Sequence, residues 1–504
     1  MKKSLVVICV ELLLIIAFLL SCGSSVKMNF NNNSTLNPLQ FGLNDAKTGE
    51  ERYFVLQRTH KEAERLGMGV SYAGIDEIRL VIPKGAKPLP ITHYTDFAGV
   101  TIQVENRQKN MFLYSLSAGI KPVDVTGEEV DGRDFSKNEP LSTGVILLVV
   151  NDSTPWVENR AGHSYGHIRK EIMLLKRGKS GNGPVQSYCT PSSKPVGFYC
   201  DVSDSKKTIF KNVTFTRTAN STAITYLVKI ENHYDIELSN ITINTPDGTG
   251  LYGDKAICIV NCLKISMSDV TINGTYSQPR DAVYGTKFGY GISLDNTYDF
   301  NARNLYARAH WGVFGNNNVQ KATLEKCDIN RFDIHCYGRD ISFVDCDFVD
   351  LYTSFSSVYG LLSYKNCTFT DCKPLLTGYS YNTYVGYDVY FENCTFNLNK
   401  KNNSIIDFSG FSVAENSRPE LKEKCLPNVT MINCRVNVTA DMKAWYIYNT
   451  AKAKNYEGPF GYLSEVVIKD LSTSDENVRL EVFSKPVKTT KKVSIKSNIS
   501  TIIQ

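Results

Sequence analysis

Residues 308–348 concentrate side chains that can transfer protons and hold a sugar. The stretch contains His310, Arg331, Asp333 and His335, two of which are among the chain's seven histidines. Histidine and aspartate act as proton donors or acceptors when burial tunes their pKa values. A guanidinium group can hold a carboxylate or a pair of hydroxyls through two parallel hydrogen bonds. We therefore predict that Asp333, His335, His310 and Arg331 form a catalytic group.

Side chains in and near the same stretch are suited to substrate binding. Trp311 offers a flat apolar face on which a sugar ring can lie. Charged residues in the preceding sequence would project beside it, and we predict that they contact substrate: Arg280, Asp281, Lys287 and Asp295.

Two reactions on a sugar chain fit these residue types. Glycoside hydrolysis normally uses two carboxylates; Asp333 is one candidate, and the other is Asp281, Asp295 or Asp299. Lyase chemistry needs a base and a cation near a uronate, which Arg331, His335 or Lys287 would supply. The alternative interpretation is that Asp333 and His335 are structural hydrogen-bonding groups at a bend.

A four-residue phrase recurs along the chain and predicts how these residues are positioned. Its second and fourth positions are almost always apolar or cysteine and its third is polar, the period-two pattern of a half-buried strand. Its first position is usually Asn or Asp, which tolerate the left-handed turn geometry that starts such a strand. The phrase occurs at residues 212–215, 240–243, 269–272, 304–307, 326–329, 345–348, 366–369, 393–396 and 433–436.

The spacing of the phrases predicts a coil of parallel strands. Successive phrases are 19 to 40 residues apart, and the shortest steps leave no room for a strand–helix–strand unit, which needs about 30 residues. Like residues then stack at about 4.8 Å per turn, so the cysteines form an interior column: Cys327, Cys346, Cys367, Cys394 and Cys434. Thiols in a line do not make a tetrahedral zinc site, and a buried free cysteine acts as a small hydrophobe.

The coil also predicts which polar residues come together. Asp333 follows His310 by 23 residues, and His335 follows Gly312 by the same number. If one turn takes 23 residues here, Asp333 stacks on His310, with His335 two positions along the same face. We expect these three side chains and Arg331 to face one groove.

The repeated phrases and the Ile82-Pro83-Lys84-Gly85 turn resemble the right-handed parallel β-helix superfamily, the pectate-lyase-like and polygalacturonase-like proteins, over roughly residues 50–450. The Trp311-Gly312 and Arg331-Phe332-Asp333 segments also resemble a motif of an uncharacterised branch of bacterial β-helix proteins. The resemblance implies an all-β fold, a right-handed parallel β-helix with an N-terminal cap containing a short helix, predicted at residues 57–66. It implies no single reaction, because this architecture hosts lyases, hydrolases, adhesins and phage spikes. A pectate-lyase calcium cluster and a polygalacturonase aspartate pair are not recognisable.

The N-terminus has the pattern of a targeting segment. Lys2 and Lys3 precede an apolar run that is interrupted by Glu11, and residues 19–22 resemble a bacterial lipobox ending at Cys22. We predict that cleavage before Cys22 leaves a lipid-bearing cysteine, which anchors the protein without spanning the membrane. A plain secretory signal and a membrane helix are the alternatives.

Residues 155–179 differ from the repeats. Arg160, His163, His167, Arg169 and Lys170 lie within eleven positions. This segment is either a solvated loop or an anion-binding patch for an acidic sugar, since guanidinium groups pair with carboxylates. Cys189 and Cys200 follow this segment. Exported proteins fold in an oxidising compartment, so these two cysteines are candidates for a disulfide.

These patterns divide the chain into five parts. We expect a lipoprotein signal peptide (1–22), a polar tether (23–50), an N-terminal cap with the first coils (51–205), the parallel β-helix repeats (206–450), and C-terminal closing strands with a basic tail (451–504).

The targeting segment predicts an exported bacterial lipoprotein, and the side chains of residues 308–348 together with the β-helix resemblance predict that it acts on polysaccharide, as a glycoside hydrolase or a polysaccharide lyase. The net charge of +5 over 504 residues is too weak to indicate nucleic-acid binding, and no pattern indicates a metal or another cofactor. We expect a lipid anchor in the cell envelope, at the outer membrane, with the periplasmic or surface face left open. The alternatives are a non-catalytic glycan-binding or adhesive protein and a structural envelope component.

Overall fold

The structure is a computed structural model. The residues it describes are 34–106, 112–157, 167–182, 189, 193–218, 226–244, 255–273, 291–307, 314–334, 338–349, 352–355, 358–370, 373–376, 386–407, 425–451, 460–499 and 502–503.

The predicted cap helix is confirmed, and it is longer than expected. Helix α1, Gly49–Leu66, begins after Thr48, whose hydroxyl accepts a hydrogen bond from the Glu51 N–H while the Glu51 carboxylate accepts one from the Thr48 N–H. This capping box fixes the start of the helix eight residues before the predicted one. The helix buries one face and packs on the first strands. The other helices are α2, Gly127–Gly132, and three short 3-10 helices, Pro38–Phe41, Leu43–Asp45 and Glu139–Leu141.

Regular structure begins inside the segment expected to be a polar tether. Pro38 and Leu43 are buried in two of the short helices, and the Asn37 side chain caps the first of them by accepting from the Leu39 N–H. Apolar side chains in an Asn-rich segment thus anchor residues 36–50, because burying them offsets the cost of ordering the backbone.

Parallel strands form the body of the molecule. The first strands are β1 (Thr35–Leu36), β2 (Gly69–Ser71), β3 (Glu77–Ile82), β4 (Leu89–Pro90), β5 (Tyr94–Asp96), β6 (Thr101–Asn106) and β7 (Phe112–Ser117). The long coil strands are β12 (Thr208–Arg217), β13 (Tyr226–Asn244), β14 (Lys255–Asn273), β15 (Ile292–Ala307) and β16 (Phe314–Glu325).

Beyond β16 each turn of the coil splits into short strands. They are β17 (Asp328–Ile329), β18 (Phe332–Ile334), β19 (Gly338–Val344), β20 (Asp347–Val349), β21 (Tyr352–Phe355), β22 (Val358–Lys365), β23 (Thr368–Thr370), β24 (Lys373–Leu376), β25 (Gly386–Glu392), β26 (Thr395–Asn397), β27 (Ser404–Asp407), β28 (Cys425–Leu426), β29 (Asn428–Ile432), β30 (Arg435–Asn437), β31 (Ala444–Asn449), β32 (Gly461–Tyr462), β33 (Glu465–Lys469), β34 (Ser472–Thr473), β35 (Arg479–Phe483), β36 (Ser494–Ser497) and β37 (Ile502–Ile503).

The register confirms the predicted coil. Val213 pairs with Ile241, and the next phrase positions follow in line through β14, β15 and β17. Three parallel sheets result, here called the first, second and third. In the first, β18, β21 and β24 stack; in the second, β19, β22 and β25; and in the third, β17, β20 and β23. Each long strand β13–β15 runs through all three sheets.

The bends between sheets are made by residues with left-handed backbone geometry, as the phrase predicted. At the bend before the third sheet, Asn240 has φ 51° and Asn393 has φ 54°. Their side chains form a ladder, with Asn393 Nδ2 donating to Asn366 Oδ1 at 3.0 Å and Asn433 Nδ2 donating to Asn393 Oδ1 at 2.7 Å. Asparagine suits this position because its short polar side chain tolerates positive φ and satisfies its neighbours.

The cysteine column lies in the core as predicted. All five thiols are free and at most 2% exposed. Each donates to main-chain carbonyls of its own or the preceding turn, as Cys346 does to the Leu324 and Val344 oxygens at 3.3 Å. Neighbouring thiols and burial together raise the pKa of Cys327, Cys367 and Cys434, so these groups are neutral and behave as small apolar side chains.

An antiparallel sheet, here called the flanking sheet, is inserted between the first coils and the long strands. It consists of β8 (Lys121–Asp124), β9 (Val145–Val157), β10 (His167–Lys176) and β11 (Pro195–Asp201), in the order β10–β9–β11–β8. The prediction that residues 155–179 form a solvated loop is therefore wrong for β10. Arg169 in β10 is buried and paired with Asp152, because alternate residues of this strand face apolar layers on both sides. Cys189 and Cys200, whose pairing the sequence left open, are both free thiols.

Candidate active site

Three neighbouring strands of the first sheet bring two carboxylates onto one outer row. Glu231 in β13 pairs with Val260 in β14, and Val260 pairs with Asp295 in β15. Side chains alternate across a strand, and Ile230 and Leu294 occupy the core, so Glu231 and Asp295 face outward. Two strand spacings separate them, about 9–10 Å between Cα atoms.

Each carboxylate has an ammonium group beside it. Lys229 Nζ lies 2.6 Å from Glu231 Oε1 on the same strand. Lys170 Nζ lies 3.3 Å from Asp295 Oδ2 and comes from β10 of the flanking sheet, 125 residues away in sequence. The four side chains keep between 18% and 29% of their surface exposed, so a ligand can reach them.

Main-chain contacts set the position of Lys170. Asn318 Nδ2 donates to the Lys170 carbonyl at 2.7 Å, and Asn296 Nδ2 donates to the Glu171 carbonyl at 3.4 Å. Both asparagines belong to a second side-chain ladder at the edge of the first sheet, in which Asn261 and Asn232 continue the hydrogen bonds. The ladder that turns the coil therefore also aligns strand β10 with it.

A buried ion pair fastens the same contact. The Glu171 carboxylate is 1% exposed, and it accepts from Arg133 at 3.2 Å and from Gln320 Nε2 at 3.3 Å. An ion pair this deep holds its geometry well, because separating the partners would leave a charge without compensation in a water-poor region.

A neutral phenol lies near the row, and a neutral amide continues it. Burial, followed by the nearby Cys258, Glu231 and Asp295, raises the pKa of Tyr226, so its phenol is protonated and can donate a hydrogen bond beside the carboxylates. Asn317 pairs with Asp295 in the next strand, and its buried Oδ1 has no hydrogen-bond partner among the residues described. An amide oxygen in this state is suited to accept a ligand hydroxyl.

The structure revises the predicted catalytic group around Asp333. Asp333 pairs with Gly315, 18 residues before it, so the predicted stacking of Asp333 on His310 is wrong. The turn is shorter than 23 residues because β18 follows the bend at Asn330 directly. Asp333 is fully buried and Arg331 is 5% exposed, and their side chains form an ion pair.

Other predicted site residues fall into two groups. Two lie among the described residues: Asp295 in the outer row, and Asp299, the other candidate carboxylate, which is paired with Lys321 at 3.2 Å. The remaining ones lie outside the described residues: His310, Trp311, His335, Arg280, Asp281, Lys287, Arg160, His163 and Cys22.

The sequence contained a signal for Glu231 that went unused. Glu231 and Asp295 each lie ten residues before the second position of their phrase, Ile241 and Leu305. Counting back equally from successive phrases would have placed both on one row. Lys229 follows from the same count, whereas the partnership of Lys170 with Asp295 depends on how the flanking sheet docks.

Among the described residues, no three His, Cys, Asp or Glu side chains are arranged to hold a metal ion. Neither α1 nor α2 combines the length and apolar composition that a membrane-crossing helix requires.

Comparisons with known proteins show the fold. No protein-family model matches the sequence, and a search of curated proteins found no match. The tailspike protein gp49 from Pseudomonas phage LKA1 aligns with 89% of this chain and 80% of its own, at 11% identity and a TM-score of 0.52. The Pseudomonas phage phi297 tailspike gp61 aligns over 93% and 81%, at 12% identity and 0.49. The Gp54 tailspike of Acinetobacter baumannii bacteriophage AP22, solved with A. baumannii capsular saccharide, aligns over 93% and 76%, at 13% and 0.46.

The likeness to the LKA1 tailspike agrees with the strand register described above. The chain has the fold of the right-handed parallel β-helix proteins, as the sequence resemblance implied.

Proposed function

We propose that this protein acts on polysaccharide, with its active site on the outer row of the first sheet. The observation that carries the proposal is the placement of Glu231 and Asp295, partly exposed and two strands apart, each beside a lysine. Inverting glycosidases hold their two carboxyl groups roughly 6.5–9.5 Å apart, which leaves room for the attacking water. The strand spacing supports a separation of this size.

The roles follow from this geometry. One carboxyl group protonates the glycosidic oxygen as the bond breaks, and the other removes a proton from water on the opposite face of the sugar. Lys229 and Lys170 hold hydroxyl or carboxylate groups of the substrate, and Asn317 accepts from a hydroxyl. Trp311, Arg280, Asp281 and Lys287 enter the proposal from sequence alone as substrate contacts, and His310 and His335 as further proton-transfer groups.

Two alternatives have features in their favour. Lysines beside carboxylates also suit a lyase, in which a cation holds the uronate while a base removes a proton. The partly exposed row would equally serve a non-catalytic glycan-binding or adhesive protein. The products of the reaction, or their absence, separate these three possibilities.

The test is a panel of polysaccharides assayed for reducing ends and for the ultraviolet absorbance of unsaturated products. We expect Glu231→Gln and Asp295→Asn each to lower turnover by about 10²–10⁴-fold, the usual contribution of a positioned acid or base. New reducing ends without absorbance identify a hydrolase, and absorbance identifies a lyase.

Glu237→Gln is the matched control. Glu237 lies on β13 as well, is paired with Lys207 at 2.6 Å and is similarly exposed, but it belongs to the second sheet. Its substitution should leave turnover within about twofold, since surface pairs contribute little. Equal losses in Glu231→Gln and Glu237→Gln would refute the site, and saccharide binding without any product would favour the binding protein.

The proposal includes export and a lipid anchor at Cys22, at the outer membrane of a bacterial envelope. The Leu19-Leu20-Ser21-Cys22 sequence supports it. Metabolic labelling with palmitate should mark the wild-type protein and not Cys22→Ser. Equal labelling of the two would contradict the anchor.

A further inference from the structure

A cavity lies around the bend of the coil from the row that holds Glu231 and Asp295. Its volume is about 350 Å³, within the range of small-ligand sites. The coil supplies one wall and the end of β10 with the following turn, residues 174–182, supplies the other. We call this cavity the hairpin cleft. Its lining residues come from the flanking sheet and from the coil, which are far apart in sequence. The shape of the cleft therefore depends on how the flanking sheet packs against the coil.

The floor of the hairpin cleft is an aromatic and apolar strip. Tyr234 pairs with Leu263, and Leu263 pairs with Tyr298, so the two tyrosines lie two strands apart on one outward row. Both rings are only partly buried. Each ring has an ammonium group over it, with Lys264 Nζ 5.7 Å from the Tyr234 ring centroid and Lys321 Nζ 5.8 Å from that of Tyr298. The remaining accessible parts of the rings are suited to contact the apolar face of a sugar.

Around the cleft, one lysine is left over after each of the others is matched with the carboxylate that it pairs with. Lys179 is paired with Asp134 at 3.4 Å, Lys264 with Asp235 at 2.5 Å, and Lys321, next to the cleft, with Asp299 at 3.2 Å. The remaining charge is on Lys176, which is exposed and has no ion pair with any residue that the structure describes. One ammonium group without an ion pair in the lining of the cleft is suited to a ligand that carries a negative charge.

We propose that the hairpin cleft binds an anionic sugar residue, one that carries a carboxylate or a sulfate. The sugar ring lies on Tyr234 and Tyr298, and its anionic group faces Lys176. The choice of a carbohydrate rests on the proposed function. The choice of an anion rests on the charges of the cleft.

Gly181 allows the cleft to be filled without straining the fold. A Cβ atom added at Gly181 meets nothing within 4 Å, and the residue does not have a positive φ. Because Gly181 lines the cleft, we expect the side chain of Gly181→Trp to occupy part of it. Gly132→Trp, at an equally open position at the end of α2, is the matched control. Lys176→Glu reverses the free charge, and Lys61→Glu reverses an exposed lysine of α1 as its control.

The probes are three galactose-based trisaccharides: a galacturonic acid trisaccharide, a sulfated one and a neutral one. Calorimetric titration should give a Kd for at least one anionic probe that is about fivefold or more below that of the neutral probe, the size of a favourable surface charge contact. Gly181→Trp should raise that Kd by about tenfold or more by filling the site, and Lys176→Glu by about fivefold. The two controls should stay at the wild-type Kd, and the tighter of the two anionic probes identifies the charged group.

Equal binding of neutral and anionic probes, or equal binding by Gly181→Trp and Gly132→Trp, would overturn the inference. The Glu231→Gln variant, titrated alongside, separates it from the proposed reaction. If no polysaccharide is cleaved but Gly181→Trp alone loses trisaccharide binding, the proposed reaction is refuted and the proposed binding site in the cleft is supported. If polysaccharide is cleaved by the wild type and no anionic trisaccharide binds, the cleft fails by itself.

Discussion

At the scale of single residues, the same side-chain types serve opposite purposes according to burial. Glu231 and Asp295 keep more than a quarter of their side-chain surface exposed and face lysines that a substrate can also reach. Asp333 has no exposed surface, and its charge is compensated by the guanidinium of Arg331. An acid held in this way is closed to solvent in this structure.

Replacing Asp333 should therefore affect stability more than chemistry. Asp333→Asn leaves the Arg331 charge buried without its counter-ion, and we expect the free energy of unfolding to fall by about 3 kcal/mol. Urea denaturation measures the loss. The double variant Arg331→Met with Asp333→Leu removes both charges and should lose less. A larger loss in the double variant would contradict this explanation.

At the scale of elements, the asparagine ladders join local geometry to long-range order. Asn393 takes φ 54° and bonds to the asparagines of the turns before and after it. Asn393 therefore fits the left-handed backbone geometry of the bend and also links successive turns through its side-chain hydrogen bonds. The ladder at Asn296 and Asn318 has a further role. Its side chains donate hydrogen bonds to main-chain carbonyls of β10, which places Lys170 beside Asp295.

Substitutions at Asn393 should separate these contributions. Asn393→Ala loses the ladder bonds and puts a Cβ into left-handed geometry, so we expect a cost of about 2 kcal/mol in the free energy of unfolding. Asn393→Gly loses only the ladder bonds and should cost about 1 kcal/mol.

Asn437→Ala is the control for the loss of an asparagine side-chain bond. Asn437 Nδ2 donates to Asn397 Oδ1 at 2.8 Å, and Asn437 is not among the residues with positive φ. Its alanine variant should resemble Asn393→Gly. If Asn393→Ala and Asn393→Gly unfold at the same urea concentration, left-handed geometry is not what selects asparagine.

At the scale of the whole molecule, buried histidines couple stability to pH. Burial lowers the pKa of His60, in the cap, and of His233, in the coil, to about 4 from an ordinary value of 6.5. His60 Nδ1–H donates to the Pro90 carbonyl at 2.8 Å, so its Nε2 accepts from the Tyr72 hydroxyl, also at 2.8 Å. Tyr72 in turn accepts from Tyr114.

The folded protein should lose stability between about pH 6.5 and pH 4. In this window the unfolded chain binds protons at both histidines and the folded chain does not, so stability is complete above 6.5 and falls as the pH is lowered, by up to about 3 kcal/mol for each group. Urea denaturation at several pH values measures the slope.

His60→Gln isolates the contribution of the cap. Glutamine can donate to Pro90 and accept from Tyr72 but does not titrate, so the dependence on pH should be shallower. An unchanged slope in this variant would exclude His60 as a source of the effect.

The sequence by itself determined the coil. The period-two phrases, the asparagine or aspartate before each one and the cysteine column all depend on local backbone geometry and on stacking in register, which a repeated pattern encodes directly. The same count would have placed Glu231 and Asp295 on one row. Only the tertiary structure decided which outward side chains remain accessible, because that depends on what docks against them. The flanking sheet brings Lys170 to Asp295, 125 residues away in sequence. No repeated pattern in the sequence encodes that contact or the complete burial of Asp333.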